Sequence, residues 1–526
     1  MKSFYVLIVV CLGLTLNGNS QYVTWIGPAG GTWNNAANWS PAAVPNSTSR
    51  ITLPPNADIT LDVSTSVHNI KVFSGWARIS ASGFQVLTLT GSDTALFVAS
   101  GAVLRDSSLS MGFFEVDFAP ASKGEVLGTW YFGGPNDGGS YVELPVSGAP
   151  ACQVFGTMQF ADNSLAPADG NTTLHFNAGS TLQLSTIQPI IPAADYDANS
   201  LIYISGVVIN PVSNEEPNFV GNLTYACPNQ ADDLSLGMSG MTIGGNLFIT
   251  NTNGNKLRIF WDGVSGTGPF TNTINGNLQI TGTSKFSISE ASATNIIYNL
   301  NVNGNLAMGG QEFDMQSAPN DSTNLFVKGN IQHTAGNFTV SSSTASSVRN
   351  RFNIELNGTG NQILSSVSNI LDNAGFQVNL RINKPSGSVS LATPIAVGRL
   401  QFTTGNNANI NTGANLLSVR KQTLSGDPVA LQYSGTGFVE GTLQRSFGTT
   451  NSILFPLGTG TTYRPLKFNP SASTSSIYQA TLTNGTHPTA IGVSAPLTGV
   501  APYYWTLNKN AGADGNVELN LNGQVP

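Results

Sequence analysis

A chain of 526 residues with 9% charged side chains, 57 glycines and a formal net charge of −7 excludes several classes of protein at once. Ordinary globular proteins carry about 25% charged residues, and helices use Glu, Lys, Arg and Ala to fill their solvent faces, so a largely helical protein is excluded. Hydrophobic content of 40% excludes wholesale disorder, and the absence of basic clusters leaves no electrostatic footprint for nucleic acid or for anionic lipid.

In chain order, residues 1–20 read as a signal peptide. Lys2 supplies the positive start and "FYVLIVVCLGLTL" the apolar core, with a cleavage position near the small Ser20. That core is short for a membrane span of about 20 residues. Cys11 lacks the small preceding residue that a lipid-modified cysteine needs, and no later stretch is apolar enough to cross a membrane. The net charge becomes −8 once Lys2 leaves. Residues 21–56 hold Trp25, Trp33 and Trp39, with Trp76 not far beyond. They suit a cap over the open end of a repeat array, with sugar stacking as the competing use.

From 57 to 438 the chain reads as repeated short strands, with irregular insertions over about 112–215. "IGGNLFI" (243–249), "INGNLQI" (274–280), "VNGNLAM" (302–308) and "VKGNIQH" (327–333) are copies of one unit. Counting Gly221, Gly245, Gly276, Gly304 and Gly329, the spacings are 24, 31, 28 and 25 residues. A period in this range marks a solenoid coil with loops of changing length. Ile274, Gly276, Leu278 and Ile280 share one face and Asn275, Asn277 and Gln279 the other, which is the alternation of a half-buried strand. Looser copies occupy 380–402 and 408–419. The frame of leucine-rich repeats is missing, and propeller blades recur at longer periods. A right-handed parallel β-helix remains, its few charges replaced by polar side chains stacked from coil to coil. Each glycine then marks a deleted inward side chain, at a bend or a close approach of backbone. The glycines are expected to lie above one another, with the adjacent asparagines laddering outside.

Residues 439–526 alternate again and end in "VELNLNGQVP", in mid-strand, which suits the start of a β-sandwich that continues in a longer protein. The predicted fold class is therefore all-β: a parallel β-solenoid with an incomplete C-terminal β-sandwich.

Three segments resemble a known group. Trp25, Gly27, Trp33, Asn38, Trp39, Val44 and Pro45 match the TWxG, W-x-x-x-x-N-W and VP pattern that opens many secreted proteins of the Bacteroidota. "LRINKPSGSVSLATPIAVGRLQF" (380–402) is similar to their solenoid coils, and "FPLGTGTTYRPLKFNP" (455–470) with "YYWTLNK" (503–509) to their C-terminal β-sandwich module. The resemblance implies an exported, extracellular or outer-surface protein of a Gram-negative bacterium, adhesin-like and often sent out by the type IX route. It implies no shared chemistry. The sorting domain of type IX cargo is not among these residues.

Candidate chemistry is sparse. His68, His175, His333 and His487 are far apart, and none has a carboxylate or second histidine at ligand spacing in the sequence. His333 has the inward parity of its repeat, which suits a hydrogen-bonded structural residue. Glu312 and Asp314 share a strand face, with Arg349, Arg351 and Glu355 one to two coils later, and these are the best local candidates for carbohydrate chemistry. The run from Asp195 to Asn199 mimics the start of a calcium loop but lacks Gly at its sixth position (Ser200) and Glu at its twelfth (Gly206). Asp232/Asp233 and Glu215/Glu216 read as solvated turns. Cys152 and Cys227 lack metal-ligand spacing, and their pairing stays open. Asp93-Thr-Ala and Asp321-Ser-Thr resemble an O-glycosylation motif of the same bacterial group. No residue is assigned as catalytic, cofactor-binding or metal-binding. The function expected is a non-catalytic surface protein whose partners are extracellular glycans or other surface proteins. A polysaccharide lyase or glycosidase and a glycan-binding module are the alternatives.

Overall fold

The computed structural model describes residues 21–108, 113–133, 139–145, 151–162, 173–214, 218–260, 268–288, 296–315, 322–339, 352–367, 378–403, 408–419, 431–433, 437–448, 450–488 and 502–519. Residues 1–20, read above as a signal peptide, lie outside them, as do Arg349, Arg351, Glu215, Glu216, Asp321 and the last residues. The described residues are almost all strand and turn, with one short 3-10 turn at Ala36–Asn38. No helix among them is long and apolar enough to cross a membrane. The parallel β-solenoid of the sequence reading is the observed fold, and antiparallel sheets occur near the C-terminus. The chain divides into two compact units, one covering most of residues 1–174 and the other most of the remainder.

In the first unit each coil crosses three sheets. Ser49–Leu53, Ala57–Leu61 and Thr65–Val67 form one coil, and Asn69–Val72, Trp76–Ala81 and Phe84–Leu89 stack on them in parallel. Alternation explains the burial: Ile51, Leu53, Ile59, Leu61 and Val67 point inward and are almost completely buried. Each such aliphatic side chain contributes about 2 kcal/mol relative to exposure. Three tryptophans of residues 21–56 pack together as a trio. Trp39 meets Trp25 and Trp33 edge-on at 4.9 and 4.8 Å, and its indole N–H donates to the Trp33 carbonyl at 2.8 Å. All three are at most 3% exposed. Trp39–Ser40 also pairs antiparallel with Gln21–Trp25 and so closes that sheet's edge. Trp76 is not part of the trio; it lies half-buried outside, with the Arg105 guanidinium 5.9 Å from its ring.

In the second unit the coils again cross three sheets. The coil of Phe270–Ile274, Leu278–Ile280 and Lys285–Ser287 is followed by Ile297–Val302, Leu306–Met308 and Glu312–Asp314, in register and parallel. The Gly-Asn units are the corners between the first two of these sheets. The glycines do stack: the N–H of Gly276 donates to the Gly245 carbonyl at 2.7 Å, Gly304 to Gly276 at 2.8 Å and Gly329 to Gly304 at 2.9 Å. A Cβ on Gly304 would lie 2.5 Å from the Gly276 carbonyl oxygen, so close approach of coils excludes any side chain here. The asparagines that follow form the ladder. Each backbone N–H of Asn246, Asn277, Asn305 and Asn330 donates to the amide oxygen of the corresponding Asn one coil earlier, at 2.7–2.9 Å.

The pattern breaks in the next coil. Gln362 occupies the position after Gly329, and its amide donates to the Gly329 carbonyl. Lys384 then reaches back, its ammonium donating to the carbonyls of Gly358 and Gly360 and to Gln362 Oε1 at 2.7–2.8 Å. The strand Phe438–Phe447 pairs in parallel with Asn409–Val419 and antiparallel with Ser476–Asn484. Across from it, Ile453–Phe455, Leu466–Pro470 and Gly515–Leu519 form an antiparallel sheet. Phe447, Phe468 and Tyr478 fill the space between the two sheets with ring centroids 4.2–5.9 Å apart.

Candidate functional site

The residues singled out for chemistry fall on different faces. Glu312 and Asp314 point outward from the third sheet of the second unit, beside Lys256 and Arg258 two coils earlier. The Lys256 ammonium lies 2.6 Å from Asp314 Oδ2 and 3.5 Å from Glu312 Oε1. The hydroxyl of Thr339 donates to the same Glu312 oxygen at 2.8 Å. Burial would lower the Lys256 pKa, but the charges of Asp314 and Glu312 outweigh it and hold it above its ordinary value. One ammonium thus bridges the two carboxylates and ties them into one ion-paired cluster. Arg258 pairs with Asp233 at 3.2 Å, so that aspartate is part of an ionic network and not merely a solvated turn.

Glu355 is elsewhere. It points outward from the sheet formed by Phe270–Ile274, Ile297–Val302, Ser322–Val327, Phe352–Leu356, Val378–Ile382 and Arg399–Phe402. It is 4% exposed, pairs with Arg381 at 3.4 Å and accepts from the Asn383 amide at 2.8 Å. Arg381 and Arg399 point out from the next two strands, so three charged side chains share this face. Beside them runs a second ladder. The amide N–H of Asn324 donates to Asn299, that of Asn353 to Asn324 and that of Asn379 to Asn353, at 2.7–3.0 Å.

The histidines are better partnered than their spacing suggests. His68 Nε2 lies 2.9 Å from Asp93 Oδ1, while Arg50 holds the other oxygen at 2.8 Å. Burial would raise the Asp93 pKa, but Arg50 and His68 outweigh it and depress it. That partnership occupies the aspartate of the Asp93-Thr-Ala motif. His175 Nδ1 lies 2.7 Å from Asp195 Oδ2 on the adjacent strand. Each carboxylate sits one coil away, 25 and 20 residues on, a separation that only the repeat period could reveal. His333 is buried between Ser366 Oγ at 2.8 Å and the Gly336 carbonyl at 3.0 Å. Burial lowers its pKa, and a neutral ring donating from Nε2 and accepting at Nδ1 satisfies both contacts, the structural role expected of it.

The run 195–199 is strand and turn. Tyr196 points inward and stacks on Phe176 at 5.1 Å, and Asp197 accepts from the Asn199 N–H at 2.7 Å. Among the described residues no group of three His, Cys, Asp or Glu side chains is placed to hold a metal ion. Cys152 and Cys227 are free and buried. Burial pushes their thiols up to about 12 and about 11.

One buried acid has no counterpart in the sequence reading. Asp106 points into the core of the first unit, where its neighbours across the sheet are Ile79 and Phe132. Trp130 donates its indole N–H to Oδ2, Oδ1 has no hydrogen-bond partner, and burial pushes the carboxyl up to about 8. It is a neutral acid at pH 7. Set against protein-family models, curated proteins and solved structures, the chain matches none of them.

Proposed function

We propose that this chain is an exported, non-catalytic protein of the bacterial outer surface, a β-solenoid that displays binding surface or spaces other modules from the envelope. The observation that carries the reading is the use of its charges. Glu312 and Asp314 are both held by Lys256, Asp93, Asp233 and Glu355 are each paired with an arginine, and a ladder of asparagine amides runs beside Glu355. The apolar start of the chain and the tryptophan segment, which resembles that of Bacteroidota surface proteins, support export, and the same resemblance suggests the type IX route. Proteolytic shaving of intact source cells tests this: the chain should be cut while cytoplasmic markers survive. Protection in intact cells, with recovery from the cytosol, would refute it.

A second reading, a carbohydrate-active enzyme, is favoured by one observation. Glu355, Arg381 and Arg399 share one outward face. A lone buried carboxylate already tied to Arg381 and Asn383 is poorly placed as a base, which is why the non-catalytic reading is preferred.

A further inference from the structure

We infer that the outward face of the first unit around Phe73, Phe97 and Phe155 docks a second copy of this chain, turned end over end. The inference goes beyond the reading given above and does not rest on it. Thr94–Val98, Lys123–Val126 and Cys152–Val154 continue the sheet that holds Ser49–Leu53 and Asn69–Val72. Leu53, Val72, Val98, Val126 and Val154 pair in one inward line. The N–H groups of Ala99, Leu127 and Phe155 donate to the valine carbonyls one coil earlier at 2.8–2.9 Å, so the ladder runs on past them. Pro54, Phe73, Ala99, Leu127 and Phe155 therefore form one outward column, and all five are apolar. Phe73 and Phe155 are 54% and 41% exposed, and the other three are half-buried. A contiguous apolar strip of this kind marks a contact surface.

The column beside the strip decides what covers it. Two residues earlier on the same strands, Thr52, Lys71, Phe97, Glu125 and Gln153 pair in line and also point outward. Phe97 lies 5.7 Å from Phe73, ring to ring. Lys71 sits one coil before Phe97 and Glu125 one coil after, and neither has an ion-pair partner among the described residues. Opposite charges thus stand about 10 Å apart on either side of a ring. Turning a second copy by 180° about the strand direction at Phe97 reverses the order of coils and keeps each column opposite itself. Lys71 of each copy then faces Glu125 of the other, Thr52 faces Gln153, and Phe97 faces Phe97. In the apolar column Phe73 meets Leu127, Pro54 meets Phe155, and the small Ala99 sits at the axis. Each contact occurs twice, as a two-fold interface requires. A basic partner would answer Glu125 and repel Lys71, an acidic one the reverse. The same face turned over carries both charges in the required order.

Sedimentation equilibrium of the full chain over roughly 1–100 μM tests this, because interfaces of modest size dissociate in that range. The wild type should reach a species of twice the chain mass. Phe73→Asp should leave a monomer. Lys71→Glu and Glu125→Lys should each weaken dimerisation about tenfold, because each sets like charges together at two symmetric places. The double variant Lys71→Glu/Glu125→Lys restores opposite charges and should recover the dimer. Phe84→Asp, at a comparably exposed ring on another sheet, should not change the mass. Circular dichroism establishes that the variants are folded, and the charge swap keeps the test decisive if Phe73→Asp disturbs its coil. A monomeric wild type across the whole range would leave the strip to a different partner and overturn the proposal. So would a dimer indifferent to both charge reversals, or single-variant losses that the swap fails to recover.

Discussion

Gly304→Ala should be strongly destabilising although it adds a single methyl group. The new Cβ would lie 2.5 Å from the Gly276 carbonyl oxygen and 2.6 Å from Asn277 Oδ1, distances no real Cβ tolerates. Relief requires the two coils to part at this corner. That stretches the bonds Gly304 N–H to Gly276 O (2.8 Å), Asn305 N–H to Asn277 Oδ1 (2.7 Å) and Leu278 N–H to Asn305 O (2.9 Å). At about 1 kcal/mol each the loss is about 3 kcal/mol. Alanine's stiffer unfolded chain returns less than about 1 kcal/mol, leaving a net loss of about 2–3 kcal/mol. Gly360→Ala is the control, because nothing lies within 4 Å of its Cβ position. Urea unfolding followed by circular dichroism, with hydrogen exchange at the amides of 276–288 and 296–305, should show early loss for Gly304→Ala and wild-type behaviour for Gly360→Ala. Equal stability of Gly304→Ala and wild type, or equal damage from both substitutions, would refute the close-packed corner.

Three further outcomes follow from buried groups. The Asp106 carboxyl titrates near 8 when folded and near 3.8 when unfolded, so the folded state holds the proton more tightly. Its contribution is therefore full below about pH 4 and declines by about 1.4 kcal/mol per unit towards pH 8. Asp106→Asn should flatten that slope and exceed wild type at pH 8 by on the order of 5 kcal/mol; parallel pH profiles would contradict this. Lys256→Met leaves Asp314, which is completely buried, without its closest cation and should cost about 3 kcal/mol in urea unfolding; an unchanged midpoint would remove the structural role given to that pair. Cys152 and Cys227 should resist aromatic disulfide reagents at pH 8 in the folded protein and react fully in denaturant; rapid labelling of the native chain would contradict their burial.

The architecture was legible because it is periodic. Ile274, Gly276, Leu278 and Ile280 alternate in the letters as they do in space, and the corner glycines meet where their repeat placed them. The partners of charged residues were not legible, because in a solenoid a side chain's neighbour lies one coil away and the coil length varies. His68 and Asp93, or Lys256 and Asp314, look unrelated until the strands are in register. Adding one repeat length to His68 would have pointed to Asp93. Gln362 and Lys384 take over the corner with side chains that share no pattern with Gly-Asn, so the repeat vanishes from the sequence while the geometry continues. Asp106 breaks the rule that inward positions are apolar, and nothing in its local sequence announces the Trp130 indole that accompanies it. The amide ladder of Asn299 to Asn379 was foreseen in kind but not in place, since its members are 25, 29 and 26 residues apart within unlike strands.

The proposed function stands or falls on whether the solenoid turns over a polysaccharide. Prolonged incubation of the chain with neutral and with uronate-containing polysaccharides, followed for new reducing ends and for unsaturated uronate absorbance, tests that claim most directly. Absence of product is the predicted result. Steady product formation that disappears in Glu355→Gln or Glu312→Gln would contradict it and make the solenoid an enzyme.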